Sequence, residues 1–279
     1  MADSLWGAVP AAPMISARAT KPWYRPTFSP EHGVLLVLLG AVLTGASLAQ
    51  QWTWETTVAA SSAFLALQAE HPLVVQLKQR RQWRPRYVVW ALVYGGSAIA
   101  LAGWLIYHHP VVLWLYGAAA LAVGVDVVAV LQRRQKTIDT EIVLFVAICL
   151  SSIFVYGILT DEITLSSVGL WLLNSLFFAS AVFTIKLRKV KTSSLTGGLV
   201  YHAVGTGLVG SLYGLGWLSG WTALGFAIAL LKLTVIVWQR DWYCNCRFEH
   251  IARFETYFAL TYTAWVCLTL LPATLPPPA

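Results

Sequence analysis

"EIVLFVAICLSSIFVYGIL", residues Glu141–Leu159, carries a formal charge only at its first position. A bilayer core is crossed by roughly 18 to 22 apolar residues in a helix, so this stretch reads as a membrane span. Its flanks differ in sign: "QRRQK" (Gln132–Lys136) precedes it and "TDEIT" (Thr160–Thr164) follows it. The same pattern of apolar run and signed flank repeats along the chain. Runs of this kind cover His32–Ala49, Thr57–Leu77, Tyr87–Tyr107, Val111–Leu131, Leu165–Ile185, Leu195–Trp217, Ser219–Trp238 and Phe254–Leu271, giving about nine helices in all. The 279 residues are 58% hydrophobic and 11% charged, beyond the apolar content of a soluble domain. The expected fold class is therefore all-α, a polytopic membrane protein with about nine transmembrane helices.

Positive charge sets the expected orientation. With the N-terminus in the cytoplasm, the inner segments are the N-terminal arm, "KQRRQWRPR" (Lys78–Arg86), "QRRQK", "KLRKVK" (Lys186–Lys191) and "QRDWYCNCRFEHIAR" (Gln239–Arg253). Every Lys and Arg except Lys232 then lies inside, and the alternate loops carry none. Lys232 is placed within snorkelling reach of the inner interface. An odd number of spans puts the C-terminus outside. The expected organisation is an arm over 1–31, a membrane domain over 32–271 and an extended Pro-rich tail over 272–279. The formal net charge of +7 follows from topology and from anionic lipid headgroups, and does not call for nucleic acid.

Glutamate and histidine recur side by side at one edge of the membrane. Glu31-His32 opens the first run, Glu70-His71 stands near the end of the second, and Glu249-His250 lies in the last inner segment. Glu31, Glu141 and Glu255 sit where inner helix starts are expected, and an acidic group there complements the helix dipole. Glu70 and Asp126 lie about two turns inside their helices, where a carboxylate is costly and normally faces a polar cavity or a cation. Pro72 disfavours helical geometry at His71, so a kink or break in the second helix is expected at Glu70-His71. These residues form the expected cytoplasm-facing polar cavity: Glu31 and His32 at the rim, Glu70, His71 and Asp126 deeper, with Glu141 nearby. Arg133, Arg134, Lys136, Arg188 and Lys232 are the cations that would meet an anionic head, for which guanidinium groups are well suited.

Other features are weaker. Cys244 and Cys246 with His250 lack the paired spacings of a zinc site, so no metal site and no cofactor are expected. His202, in a glycine-rich segment, reads as an interhelical hydrogen-bonding group.

Several motifs carry a family resemblance: "PEHG" (Pro30–Gly33) at the first helix, Pro72 after the polar interruption of the second, the basic run "IKLRKVK" (Ile185–Lys191) after the sixth, and the overall length. On these the chain resembles the YwiC-like family of bacterial membrane proteins. The aromatic continuation usual after Glu-His-Gly is replaced here by Val34-Leu35. The resemblance supplies a class and not a mechanism. More distantly, the span count, the orientation and "VLQRRQKTIDTE" (Val130–Glu141) resemble UbiA-type prenyltransferases. That family holds magnesium on a prenyl diphosphate with aspartate-rich motifs, a task that needs several oxygen ligands. The matching positions here read "LQAEHPLVVQLKQRR" and "SAVFTIKLRKVK", which offer one Glu with one His and no acid, respectively.

The expected function is binding or handling of an amphipathic, anionic, lipid-soluble molecule, an isoprenoid or pigment being the class in view. Two alternatives stand beside it: a prenyltransferase-like enzyme with a non-standard site, and a scaffold subunit of a membrane complex. Membrane lipids are the expected partners, and a bacterial plasma membrane or internal photosynthetic membrane the expected location.

Overall fold

The computed structural model describes residues 24–29, 32–79, 82–188 and 194–271. Glu31, nearly all of the expected arm and the whole tail lie outside these residues, as does the side chain of His32. The described chain is helical, with no strand among the described residues. Its helices are α1 (His32–Ala49), α2 (Trp54–Lys78), α3 (Pro85–His108), α4 (Leu113–Leu131), α5 (Ile138–Thr160) and α6 (Leu165–Lys186). After them come α7 (Leu195–Gly214), α8 (Gly220–Ala223), α9 (Ala227–Trp238), α10 (Arg240–Asn245) and α11 (Phe248–Leu270). Six helical units are long and apolar enough to cross a membrane: α2, α3, α5, α6, α4 with its preceding 3-10 turn, and the α8–α9 unit. This is an all-α protein of the multi-pass membrane type.

Three expectations need correction. The second helix is not broken at Glu70-His71, because α2 runs unbroken from Trp54 to Lys78 with Pro72 buried inside it. Proline removes one backbone donor, and a membrane helix packed along a neighbour, as α2 is along α3, tolerates that loss. The eighth run is not one helix but α8, a 3-10 turn over Leu224–Phe226, and α9. At that turn a side chain on Gly225 would lie 3.0 Å from Val266 and 3.4 Å from Tyr262, so the backbone is drawn tightly onto α11. The last helix begins at Phe248 and not at Phe254, which places Glu249-His250 in its first turn and Glu255 two turns in.

α1 is the hub, packing against α2, α5, α6 and α11. Ala41, Val42, Thr44 and Ala46 are buried in consecutive turns, and Gly40 and Gly45 let other helices come close. A Cβ on Gly45 would stand 2.3 Å from the Ser152 carbonyl oxygen of α5, and one on Gly40 would stand 2.8 Å from the Phe178 ring of α6. Polar groups buried between helices are matched to each other. Asn174 donates to the Thr44 hydroxyl at 2.9 Å, and Tyr262 donates to the Asn174 side-chain oxygen at 2.8 Å. The Tyr262 ring stacks on Phe177 at 3.7 Å, which joins α11 to α6 by an apolar and a polar contact at once.

Replacing Gly45 by Ala should lower the stability of the folded protein by about 1–3 kcal/mol, because the Ser152 backbone cannot yield as a side chain would. Gly96→Ala is the control, since a Cβ there meets nothing within 4 Å. Unfolding curves in mild detergent that coincide for the two variants would show that α1 and α5 are not in this contact.

Candidate functional site

Helices α1 to α5 enclose a cleft of about 570 Å³. Leu38 and Val42 of α1 with Ile148 and Val155 of α5 form its floor, while α2, α3 and α4 supply the walls. Most of the lining is Ala, Val, Leu, Ile and Gly; Ser62, Tyr116, Thr140 and Ser151 add hydroxyls. Among the described residues its carboxyl groups are Glu70 from α2 and Asp126 from α4, and none of the described lining residues is Lys or Arg. Glu70, His71 and Asp126 are each partly buried and each interact with neighbouring groups.

The segment leading into α1 is fastened beside Glu70. The Ser29 amide donates to the side-chain oxygen of Gln68, a buried residue, at 2.9 Å. Arg86 at the start of α3 holds the same segment by donating to the carbonyls of Arg25 and Pro26 at 2.8 and 2.9 Å. The chain just before Glu31-His32 thus meets α2 within one turn of Glu70-His71.

The turn between α4 and α5 lies beyond one end of the cleft. Arg134 donates its amide to the Ala129 carbonyl at 2.8 Å and Arg133 to Val130 at 3.1 Å, a double bond pattern that stops a helix with the next-to-last residue in left-handed geometry. Arg133 takes that role at φ 60°. Arg133, Arg134 and Lys136 are exposed on this turn, beyond Asp126 on one side and Thr140 on the other. Glu141 is turned away from the cleft and pairs with Lys186 at 2.8 Å, and Lys186 also donates to the Lys136 carbonyl at 3.0 Å. It ties α5 to α6 and leaves Glu70 and Asp126 as the acids of the cleft among the described residues.

Tyr116 marks the opposite part of the cleft. Its ring meets Phe154 edge-on at 4.6 Å, and its hydroxyl oxygen is buried without a hydrogen-bond partner among the described residues. Ser62, which donates to the Ala98 carbonyl at 3.1 Å, lies beside it and can accept from it through its oxygen.

Two of the expected head-binding cations belong to another cluster. Lys232 does not snorkel: it is 2% exposed and pairs with Glu255 at 2.9 Å, with its ammonium 5.5 Å from the Phe177 ring centre. The second Glu255 oxygen accepts from Thr184 at 2.8 Å and from Tyr243 at 3.1 Å. Burial, and after it the Glu255 charge, push the Tyr243 pKa up, so its hydroxyl stays a donor. Arg188 donates to the Cys246 carbonyl and lies over the Phe248 ring at 5.9 Å. Neither residue is on the cleft wall. The sequence hid the Lys232–Glu255 pair because Glu255 was read as a helix start, where a dipole cap sufficed to explain it.

His202 is likewise not an interhelical link. Its Nδ1 bonds the Gly198 carbonyl of its own helix at 2.7 Å, and Nε2 has no hydrogen-bond partner among the described residues. At the end of the bundle opposite the basic turns, His109 stands between two acids. Its Nδ1 is 2.6 Å from Asp161, and its Nε2 is 3.5 Å from Glu55, outside hydrogen-bond geometry. The Cys244 and Cys246 thiols face the Leu187 and Tyr243 carbonyls at 3.8 and 3.7 Å. No group of three or more His, Cys, Asp or Glu that could hold a metal ion occurs among the described residues.

The buried pair predicts a non-additive response. Lys232→Met alone should cost about 3–5 kcal/mol of stability, because Glu255 is left charged and enclosed. Lys232→Met combined with Glu255→Gln should recover most of that loss, since Gln still accepts from Thr184 and Tyr243. Unfolding midpoints of wild type, both single variants and the double variant form the test; additive losses would contradict the pairing.

No curated protein and no solved structure matches the chain, so the resemblance to UbiA-type prenyltransferases gains no support. The family resemblance does: residues 28–156, which include every residue lining the cleft, match the model of the YwiC-like protein family.

Proposed function

We propose that the chain binds an amphipathic, lipid-soluble molecule in the cleft between α2 and α4. The observation that carries this reading is the wall itself, an apolar trough of about 570 Å³ whose carboxyl groups, Glu70 and Asp126, lie toward the basic turn. That volume lies in the range of small-molecule sites, which combine a mainly apolar lining with a few placed polar groups. The apolar body of the ligand lies along the trough, and its polar end lies toward Glu70 and Asp126. An anionic head extends past them to Arg133, Arg134 and Lys136, whereas a neutral head stays within reach of the carboxyl groups. Isoprenoids and pigments have the required combination of length and low polarity. Support also comes from the family match, whose residues build the whole cleft.

The basic end of the bundle faces the cytoplasm in this proposal, so the polar mouth opens there. Reporter fusions after Arg84, Lys136 and Lys191 should report cytoplasm, and fusions at Asp161 or Ala279 the opposite side. A cytoplasmic Ala279 would overturn the nine-span arrangement.

Mass spectrometry of protein extracted from its own membrane in mild detergent tests the ligand. Wild type should retain a non-bulk lipid or pigment, and Ala119→Phe, which places a ring in the cleft, should lose most of it. Gly117→Ala, where a Cβ meets nothing within 4 Å, should keep it. The same bulk lipids on all three would remove the proposal.

A further inference from the structure

The hairpin formed by α3 and α4 does not close along its length. Helices joined by a connection as short as His109–Val112 ordinarily pack antiparallel against each other. Near the turn both are seated, with Leu105 of α3 and Val112 each 0% exposed. Farther along, α3 packs on α2 and α4 on α5, and the two meet each other chiefly at the turn. Ser62 of α2 donates to the Ala98 carbonyl of α3 at 3.1 Å, and the Tyr116 ring of α4 meets Phe154 of α5 edge-on at 4.6 Å. Each helix of the hairpin is thus held by a different partner.

This parting leaves a slot along the cleft. Ile99 lies ten residues before His109 and Val123 eleven after Val112, so both stand about 15 Å from the turn at 1.5 Å per residue. Both line the cleft, and a closed hairpin would bury them against each other. Instead Ile99 is 74% exposed and Val123 59%. Leu92, two turns from Ile99 on α3, also lines the cleft and is 69% exposed. Behind these lips the cleft reaches Leu67 of α2 and Ile148 of α5. α3 and the α4 unit are both of membrane-spanning length and polarity, and their middles lie in a hydrocarbon core about 30 Å thick. The slot therefore opens to acyl chains and not to water.

The lips select what passes between them. The described α3 lining is Ala91, Leu92, Gly95, Ala98 and Ile99, which offers a polar head no side-chain partner. A hydrocarbon chain moving through such a gap exchanges one apolar surrounding for another. Asp126 follows Val123 by three residues, about 4.5 Å nearer the basic turn. A head carried at that level meets a carboxyl group while its tail passes the lips. Resting on the cleft as the binding site, we infer that its ligand enters sideways from the bilayer, through the slot between α3 and α4, from the leaflet beside the basic turns. The ligand class is an amphiphile already dissolved in the membrane, as distinct from a water-soluble molecule arriving at the polar mouth.

Photolabelling of the full chain in lipid nanodiscs, after detergent exchange has removed co-purified lipid, tests this. The probe is a long-chain alcohol with a diazirine at mid-chain, added to the formed nanodiscs, and adducts are mapped by mass spectrometry. Wild type should be labelled at Leu67 or Ile148 inside the cleft and at Leu121, an exposed α4 residue outside it. In the double variant Ile99→Trp/Val123→Trp, which narrows the slot at two lipid-facing positions, the cleft adducts should be lost while those at Leu121 remain. Should the double variant not reconstitute, each single variant is read in the same way. Cleft adducts undiminished in these variants overturn the inference; if Ala119→Phe removes them, the cleft remains a binding site reached by another path. Wild type labelled at Leu121 and not inside the cleft also overturns it. A native ligand that Ala119→Phe displaces would then preserve the cleft reading, and the lack of one would end both.

Discussion

The contact between Gly45 and the Ser152 backbone fixes how the remaining helices are arranged. With no side chain at Gly45, α1 and α5 approach until backbone meets backbone, and a Cβ would stand only 2.3 Å from the Ser152 oxygen. Close approach through small residues is a main source of helix association in lipid, where apolar contact between helices has no advantage over contact with acyl chains. The α1–α5 seam then has two faces. On one, α6 and α11 complete a tight core through Phe177, Phe178 and Tyr262. On the other, the pair is the floor of the cleft, and α2, α3 and α4 stand around it without filling it.

Polar groups divide between those two faces in a way that separates structure from function. In the tight half, Asn174, Thr44 and Tyr262 satisfy one another, and Lys232, Glu255, Thr184 and Tyr243 form a closed set around one carboxylate. Such sets are costly to break and leave nothing for a ligand. In the cleft, a few hydroxyls and the carboxyl groups of Glu70 and Asp126 border an apolar trough. The same residue types thus lock one half of the bundle and equip the other for binding.

Much of this was legible in the sequence, for reasons that also explain the failures. Apolar runs between signed loops revealed the helices, because burial in lipid demands length and leaves no room for internal charge. Glu70 and Asp126 stood out because a carboxylate inside a membrane helix needs a reason, and both line the cleft. Tyr116 gave no signal, since tyrosine is common near membrane interfaces and only the folded chain places it in the cleft beside Ser62. The Lys232–Glu255 pair was missed through one boundary: starting α11 six residues late made Glu255 a cap and left Lys232 to reach for the interface. Pro72 was overread, because proline weighs on an isolated helix more than on one packed along a neighbour. His109, between Asp161 at the end of α5 and Glu55 at the start of α2, joins segments too distant in sequence for any local pattern to reveal.

The account turns on whether the cleft is occupied in the native membrane. A cryo-electron microscopy map of the full chain, extracted with its own lipids, is the most direct measurement. It should show continuous density along the trough from the Tyr116 hydroxyl to Glu70 and Asp126, separate from the acyl chains that coat the outside of the bundle. A trough closed by inward movement of α4, with Leu115 and Val123 packed on α5 and no separate density between them, would contradict it.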